Sequence, residues 1–217
     1  MRDNYTAELE QLRLQVEMMA VRVGENLERM QQALQQPWTD LSREAAAVDV
    51  DIDAMNVSLT ERCYELIVRE APVASDLRLV VSVVRMLNEL ERISDHSVAV
   101  CRSAGAATPV DGPIVDLLST MADEVIARFH TARQAWGALD LPRAEELAAG
   151  SPLAEALHAR LVHELVELDG PDAIATALAA ANVGRSLERI CDHTTIIGAR
   201  VRYLVTGDPD HLAAEVR

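Results

Sequence analysis

Lysine is absent from the 217 residues, so all 20 basic side chains are arginines. They face 35 Asp and Glu, and the formal charge is −15 with a pI near 4.7. A chain this acidic is poorly suited to non-specific nucleic-acid binding, which works by neutralising phosphates. It suits cations or basic protein surfaces. Aromatics are scarce: one Phe, two Trp and three Tyr. Stacking platforms for bases are therefore not expected. A β-rich fold, which leans on aromatic and β-branched residues, is also disfavoured. The three cysteines, Cys63, Cys101 and Cys191, are odd in number and form no CxxC. That excludes a disulfide framework or a zinc ribbon and fits a reducing compartment.

Long hydrophobic runs are missing too. A membrane-spanning helix needs about 18 or more apolar residues. The most apolar window, Leu77 to Leu90, is interrupted by Arg78, Arg85, Asn88 and Glu89. The opening residues, Met1 to Tyr5, lack the apolar core of a signal peptide. A cytoplasmic protein without membrane insertion is expected. No GxSxG, P-loop or HExxH motif is present.

With only 8 Pro and 9 Gly, long segments run uninterrupted, and they follow a helical period. Leu9, Leu12, Val16, Met19, Val23, Leu27, Met30 and Leu34 recur at steps of three and four, predicting a helix over residues 5–35 that Pro37 ends. A second helix is expected from Thr39-Asp40 to about Glu70, before Pro72. A third runs from Ser75-Asp76 to about Arg102. Residues 103–113 (SAGAATPVDGP) read as a linker. Further helices are predicted at 114–138, at 142–168 with Asp140 as a cap, and at 172–206, ending at Gly207. Rods of thirty residues are roughly 45 Å long and bury their stripes by lying side by side. The expected fold is all-α: six long helices as two tandem, similar three-helix bundles. The units span 1–104 and 114–207, joined by a linker at 105–113 and followed by a tail at 208–217.

The strongest signal is a repeat. Residues 90–97 read LERISDHS and residues 187–194 read LERICDHT, identical at six of eight positions. Each copy lies in the last helix of its set, so the chain reads as a duplicated three-helix unit. On a helix, Glu91 and Asp95 are four apart and share a face, as do Glu188 and Asp192. Like charges at that spacing repel, and a bound cation would offset the cost, because hard cations take several carboxylate oxygens. Asp49, Asp51 and Asp53 on the second helix could complete a ligand set, with Asp49 and Asp53 on one face. Carboxylates on neighbouring bundle helices build iron or manganese sites. The plainer alternative is a solvated acidic face, which duplication makes less attractive. His96 and His193, about 100° round the helix from their Asp, read as packing or orienting residues rather than ligands. Cys191, whose counterpart is Ser94, reads as a small buried residue.

These octapeptides, with PVASDLRLV at 72–80 and RVRYLVTG at 200–207, resemble the PhoU family over about residues 5–207. The resemblance implies a six-helix protein of two similar bundles whose acidic motifs hold metal, iron first with manganese, zinc or magnesium as alternatives. It implies a non-enzymatic negative regulator of phosphate uptake and of the phosphate-starvation response. Such a regulator works between the ATPase PstB of the phosphate transporter and a PhoR-type sensor histidine kinase, commonly as a homodimer. By position the metal residues are Asp49, Asp53, Glu91 and Asp95 in the first unit and Glu188 and Asp192 in the second. Asp76 and Arg78 fall in the family's DLR segment as cap and orienting residue.

The second unit departs from the pattern. The position matching Asp49 falls near Ser151, the nearest acid is Glu155, and Gly150 and Pro152 disturb the helix. Arg185 stands where the first copy has Asn88, and a cation there disfavours metal. The first site is therefore expected to be the stronger. Two other readings remain: a di-iron helical-bundle enzyme, suggested by Glu155-x-x-His158 and His163-Glu164 but lacking a partner motif, and a passive structural bundle.

Overall fold

A computed structural model of the chain describes residues 2–35, 40–106 and 112–216. It is all-α, with no strand among the described residues. The helices are α1 (Arg2–Gln35), α2 (Leu41–Glu70), α3 (Ala74–Ala106), α4 (Pro113–Ala138), α5 (Leu141–Ala148), α6 (Pro152–Val166) and α7 (Ala173–Thr206). A 3₁₀ segment, Pro209–Val216, folds back against α7 where only a tail was expected. Pro37, Thr39 and most of the expected linker (107–111) lie outside the described residues.

The α1 stripe is buried as its spacing predicts: Leu12, Val16, Met19, Val23, Leu27 and Met30 are all within the core. The segment between α2 and α3 is only three residues long and turns through left-handed backbone at Ala71 and Ala74, on either side of Pro72. Because α3 already begins at Ala74, Asp76 sits inside its first turn rather than capping it. A carboxylate there still faces the positive end of the helix dipole.

The single rod expected over 142–168 is two helices. Asp140 caps α5 as predicted, accepting from the Arg143 N–H at 3.1 Å. The rod then breaks at Ala149 to Ser151. Gly150 takes φ +89°, Ser151 accepts from the Ala154 N–H at 3.1 Å, and Pro152 opens α6. A left-handed residue followed by a cap and a proline ends one helix and starts another. Arg128 of α4, itself buried, holds the break together. It donates to Leu147 O (3.0 Å) and Gly150 O (2.9 Å) and reaches Thr194 (3.0 Å) and Thr195 (3.1 Å) on α7.

Helices α3 and α7, the two that carry the repeat, pack against one another at the centre. They run antiparallel, since Arg78 near the start of α3 lies over the Tyr203 ring near the end of α7, 5.9 Å from its centroid. Helices α1 and α2 cover α3; α4, α5 and α6 cover α7; α1 also meets α4. The latter contact is pinned by Arg13 donating to Gly137 O (3.1 Å) and Gln31 donating to Asp123 (2.6 Å).

Two glycines set how closely α7 is approached. A Cβ at Gly198 would sit 2.8 Å from both Ala144 O and Ala148 N, which are backbone atoms of α5. At Gly184 the obstacle is the end of the Leu161 side chain at 2.3 Å. Overpacking that forces backbone apart costs about 1–3 kcal/mol. Gly198→Ala is expected at the top of that range and Gly184→Ala at the bottom, where Leu161 can rotate away. Urea unfolding of the two variants checks the order.

Candidate functional site

The first copy of the repeat faces α2. Asp49 and Asp53 of α2 and Glu91 and Asp95 of α3 form one electrostatic group. Burial, then Asp95, Asp53 and Asp49, push the Glu91 carboxyl above its ordinary range. Burial, then Asp49 and Asp53, do the same to Asp95. Asp53 is raised by burial and by Asp49. Arg92 and Arg102 only moderate the effect on Glu91 and Asp95 respectively. The four acids expected of the first site thus lie within electrostatic reach of one another. Asp51 is exposed on α2 and contributes to none of these shifts.

Asp49 is held in place by a chain of polar contacts. Ser94 Oγ donates to its Oδ1 at 2.6 Å, a length typical of a hydrogen bond to a charged acceptor. Buried Asn26 of α1 donates to Ser94 Oγ (3.1 Å) and to Ala45 O of α2 (3.2 Å), and accepts from Arg29 (3.4 Å). Three helices are thereby tied together around one carboxylate. Neither Asn26 nor Ser94 was singled out from the sequence as a site residue. The signal for Asn26 was present: it lies three residues after Val23 on the buried stripe, where a polar side chain needs partners.

The second copy is built differently. Glu188 is met by His158 Nδ1 at 3.2 Å and by Arg185 at 3.2 Å, and Asp192 by Arg189 at 3.1 Å. Each acid of the second motif therefore has a cation of the chain beside it. Ser151, at the place matching Asp49, has no charge to offer and donates instead to Glu124 at 2.8 Å. Buried Arg128 does on α4 what neutral Asn26 does on α1, joining the first helix of its set to the other two. A cleft of about 830 Å³ opens beside this motif, and Arg92 of α3 joins Arg189, Glu188 and Asp192 in its wall. His158, the histidine of the Glu155–His158 spacing, is engaged by Glu188.

Between the two copies the equivalent histidines stack. The His96 and His193 rings lie 5.6 Å apart at 27°. Like residues meet in this way near the axis of a two-fold arrangement. His193 Nδ1 is 2.7 Å from Oε2 of buried Glu89, whereas the matching position in the second copy is Ser186. Burial first, then the charges of His193, Arg189 and Arg92, hold His96 below its ordinary value. All three cysteines are buried and unpaired, and burial pushes the Cys191 thiol up to about 12. Cys191 is the small buried residue expected.

The four first-copy acids offer only oxygen donors, the set a hard cation prefers. Their mutual repulsion, only moderated by Arg92 and Arg102, is what a bound ion would relieve. As the side chains stand, no group of three or more His, Cys, Asp and Glu among the described residues is drawn together closely enough to hold an ion. At the second copy the charge that a metal would supply is already provided by Arg185 and Arg189.

The raised carboxyls have a stability consequence. Asp53, Glu91 and Asp95 hold protons more tightly folded than unfolded, so their contribution favours the fold at low pH and is lost as pH rises through the folded values. Asp95→Asn is expected to stabilise the metal-free chain at neutral pH, by about 0.2–0.5 kcal/mol for the i,i+4 repulsion from Glu91 that it relieves. The gain disappears on acidification through the carboxylate range. Thermal unfolding of both proteins in chelator, at neutral and weakly acidic pH, measures it.

Comparison with known proteins bears on both copies. The family model for the PhoU domain matches residues 16–104 and again 118–201. A phosphate-specific transport system accessory protein PhoU homolog of Deinococcus radiodurans is 34% identical over 172 residues, covering 77% of this chain and 80% of that protein. The phosphate-specific transport system accessory protein PhoU of Escherichia coli is 28% identical over 206 residues, 94% of this chain and 86% of that one. The crystal structure of PhoU from Pseudomonas aeruginosa superimposes with a TM-score of 0.88 at 28% identity, covering 94% of this chain and all of that one.

Proposed function

Since the chain belongs to the PhoU family, we propose that it is an accessory protein of a phosphate-specific transport system, acting as a non-enzymatic negative regulator of phosphate uptake and of the phosphate-starvation response. It works by offering helical surfaces to the transporter ATPase, PstB, and to a PhoR-type sensor histidine kinase, at the cytoplasmic face and as a homodimer. The observation that carries this reading is the match of the PhoU domain model to both repeats, each match including its copy of the octapeptide. No helix among the described residues is long and apolar enough to cross a membrane, in keeping with a protein that docks on a transporter rather than forming part of its pore.

Metal, iron or another hard divalent ion, belongs to this reading at the first repeat. Asp49, Asp53, Glu91 and Asp95 would hold it, with Ser94 and Asn26 fixing Asp49. The ion would supply positive charge that joins α2 to α3. The second motif is closed by the chain's own cations. Asp95→Asn is therefore expected to abolish most of the bound metal, and Asp192→Asn to leave most of it. Elemental analysis of protein purified without chelator decides; equal loss from both variants refutes the asymmetry.

Partner binding has its own test. With a charge of −15, association with a basic patch on PstB is steered electrostatically. The association rate should fall several-fold from low to physiological salt, because charges more than about 10 Å apart are screened there. Stopped-flow mixing with purified PstB measures it, and a rate indifferent to salt counts against the docking mode. Failure to retain both PstB and the kinase in a pull-down from phosphate-replete cells counts against the adaptor reading as a whole.

A further inference from the structure

Helix α2 has two apolar stripes, and only one of them is covered. The inner stripe is Ala45, Ile52, Leu59, Cys63 and Leu66, all buried against α1 and α3. The outer one lies on the opposite side: Val50, Ala54, Val57, Glu61, Tyr64 and Val68 follow one another at steps of four and three, the period of a coiled-coil seam. Val50, Val57, Tyr64 and Val68 are 66%, 61%, 57% and 85% exposed. This is the pole of the helix farthest from the core, where a solvated helix is usually most polar. From Val50 to Val68 it is about 27 Å long. Such a patch on an outermost rod marks an interaction surface.

The charges around the seam say what fits it. Helix α2 carries seven acids against three arginines. Each arginine is already engaged: Arg43 by Asp40, Arg62 by Gln11 and Gln15, Arg69 by Glu8 and Glu70. The side chains of Asp51, Glu61 and Glu65, on or beside the seam, make no hydrogen bond or ion pair among the described residues. A second copy of this helix laid along the seam would bring acids against acids. We propose that the outer face of α2 docks a basic amphipathic helix of a partner protein, whose apolar stripe completes the seam and whose flanking cations pair with these acids. Helix-in-groove and zipper recognition use the same anchors at i, i+3, i+4 and i+7.

The inference rests on the adaptor reading above, but its test does not need the transporter or the kinase. The probe is a labelled three-heptad helical peptide with Leu at a and d and Lys at e and g, titrated into the full chain by fluorescence anisotropy. The chain should bind it. The double variant Val57→Ser/Tyr64→Ser, at two exposed sites, should bind roughly tenfold or more weakly, as loss of central anchors does, with an unchanged circular-dichroism melt. Leu14→Ser/Met18→Ser, on the exposed face of α1, should bind as the parent does, and a peptide with Glu at e and g should not bind. Undiminished binding by the α2 variant, or equal binding of the Glu peptide, overturns the proposal. So does a loss confined to the α1 variant, and so does a dimer in sedimentation that the α2 substitutions split into monomers, since a second copy would then be the occupant. A chain that binds the peptide through α2 yet neither PstB nor the kinase overturns the adaptor reading and supports this one.

Discussion

The antiparallel packing of α3 on α7 is the contact around which everything else is placed. Both copies of the octapeptide lie on these two helices, so the face of each rod turned toward the other is committed to the interior. What remains is the flank on which each helix meets the middle rod of its own set, and there the acids stand. The histidine that follows each aspartate turns inward and stacks on its equivalent. One short motif thus supplies both the joint between repeats and the polar cluster beside it. The segments 72–80 and 200–207 meet at the end of the same packing: Arg78 lies over Tyr203, and a Cβ at Gly207, which takes φ +77°, would fall 2.3 Å from the Arg78 guanidinium. A side chain at Gly207 would meet both a left-handed backbone and that guanidinium.

Within this shared framework the repeats have solved the same electrostatic problem in opposite ways. The first unit keeps four carboxylates and a neutral amide, Asn26, and leaves the acids pushing against one another. In the second, one acid becomes Ser151, the amide becomes the buried guanidinium of Arg128, and Arg185, Arg189 and His158 flank the remaining pair. A guanidinium brings five donors in a fixed plane. Arg128's contacts go to the break between α5 and α6 and to α7, so this one residue holds together a middle rod that is no longer one helix. The break and the loss of the matching acid fall together: the position matching Asp49 lies near Ser151, which caps α6.

Much of this was legible in the residues. The stripe of α1, the reversal after Pro72, the capping by Asp140 and the repeat itself follow from spacing and from turn chemistry, which are local. Gly150 and Pro152 announced a disturbance, but not that α6 begins anew there, because the partner that stabilises the break, Arg128, is distant in sequence. The Ser94–Asp49 bond and the Glu89–His193 contact were not legible for the same reason. Each joins positions that only the packing of two rods brings together; Glu89 stands out as a charge in the most apolar window, but nothing near it in sequence names His193 as its partner. Arg185 was the exception, because it stands on the same helix as Glu188, three residues away, where helical geometry alone brings the two together.

The unequal repeats also bear on where a partner can sit. A metal at the first copy would place a positive charge between α2 and α3, and one of its acids, Asp53, three residues after Val50 and four before Val57, also flanks the outer seam of α2. The acids beside the outer seam, Asp51, Glu61 and Glu65, are separate from the four of the cluster, and their attraction for a basic helix would persist with or without the ion. The cluster and the seam share a rod and, at Asp53, one charge. An ion would stiffen the rod and neutralise Asp53 beside the seam, while Asp51, Glu61 and Glu65 would go on attracting a basic helix with a strength that answers to salt, which screens exposed charges.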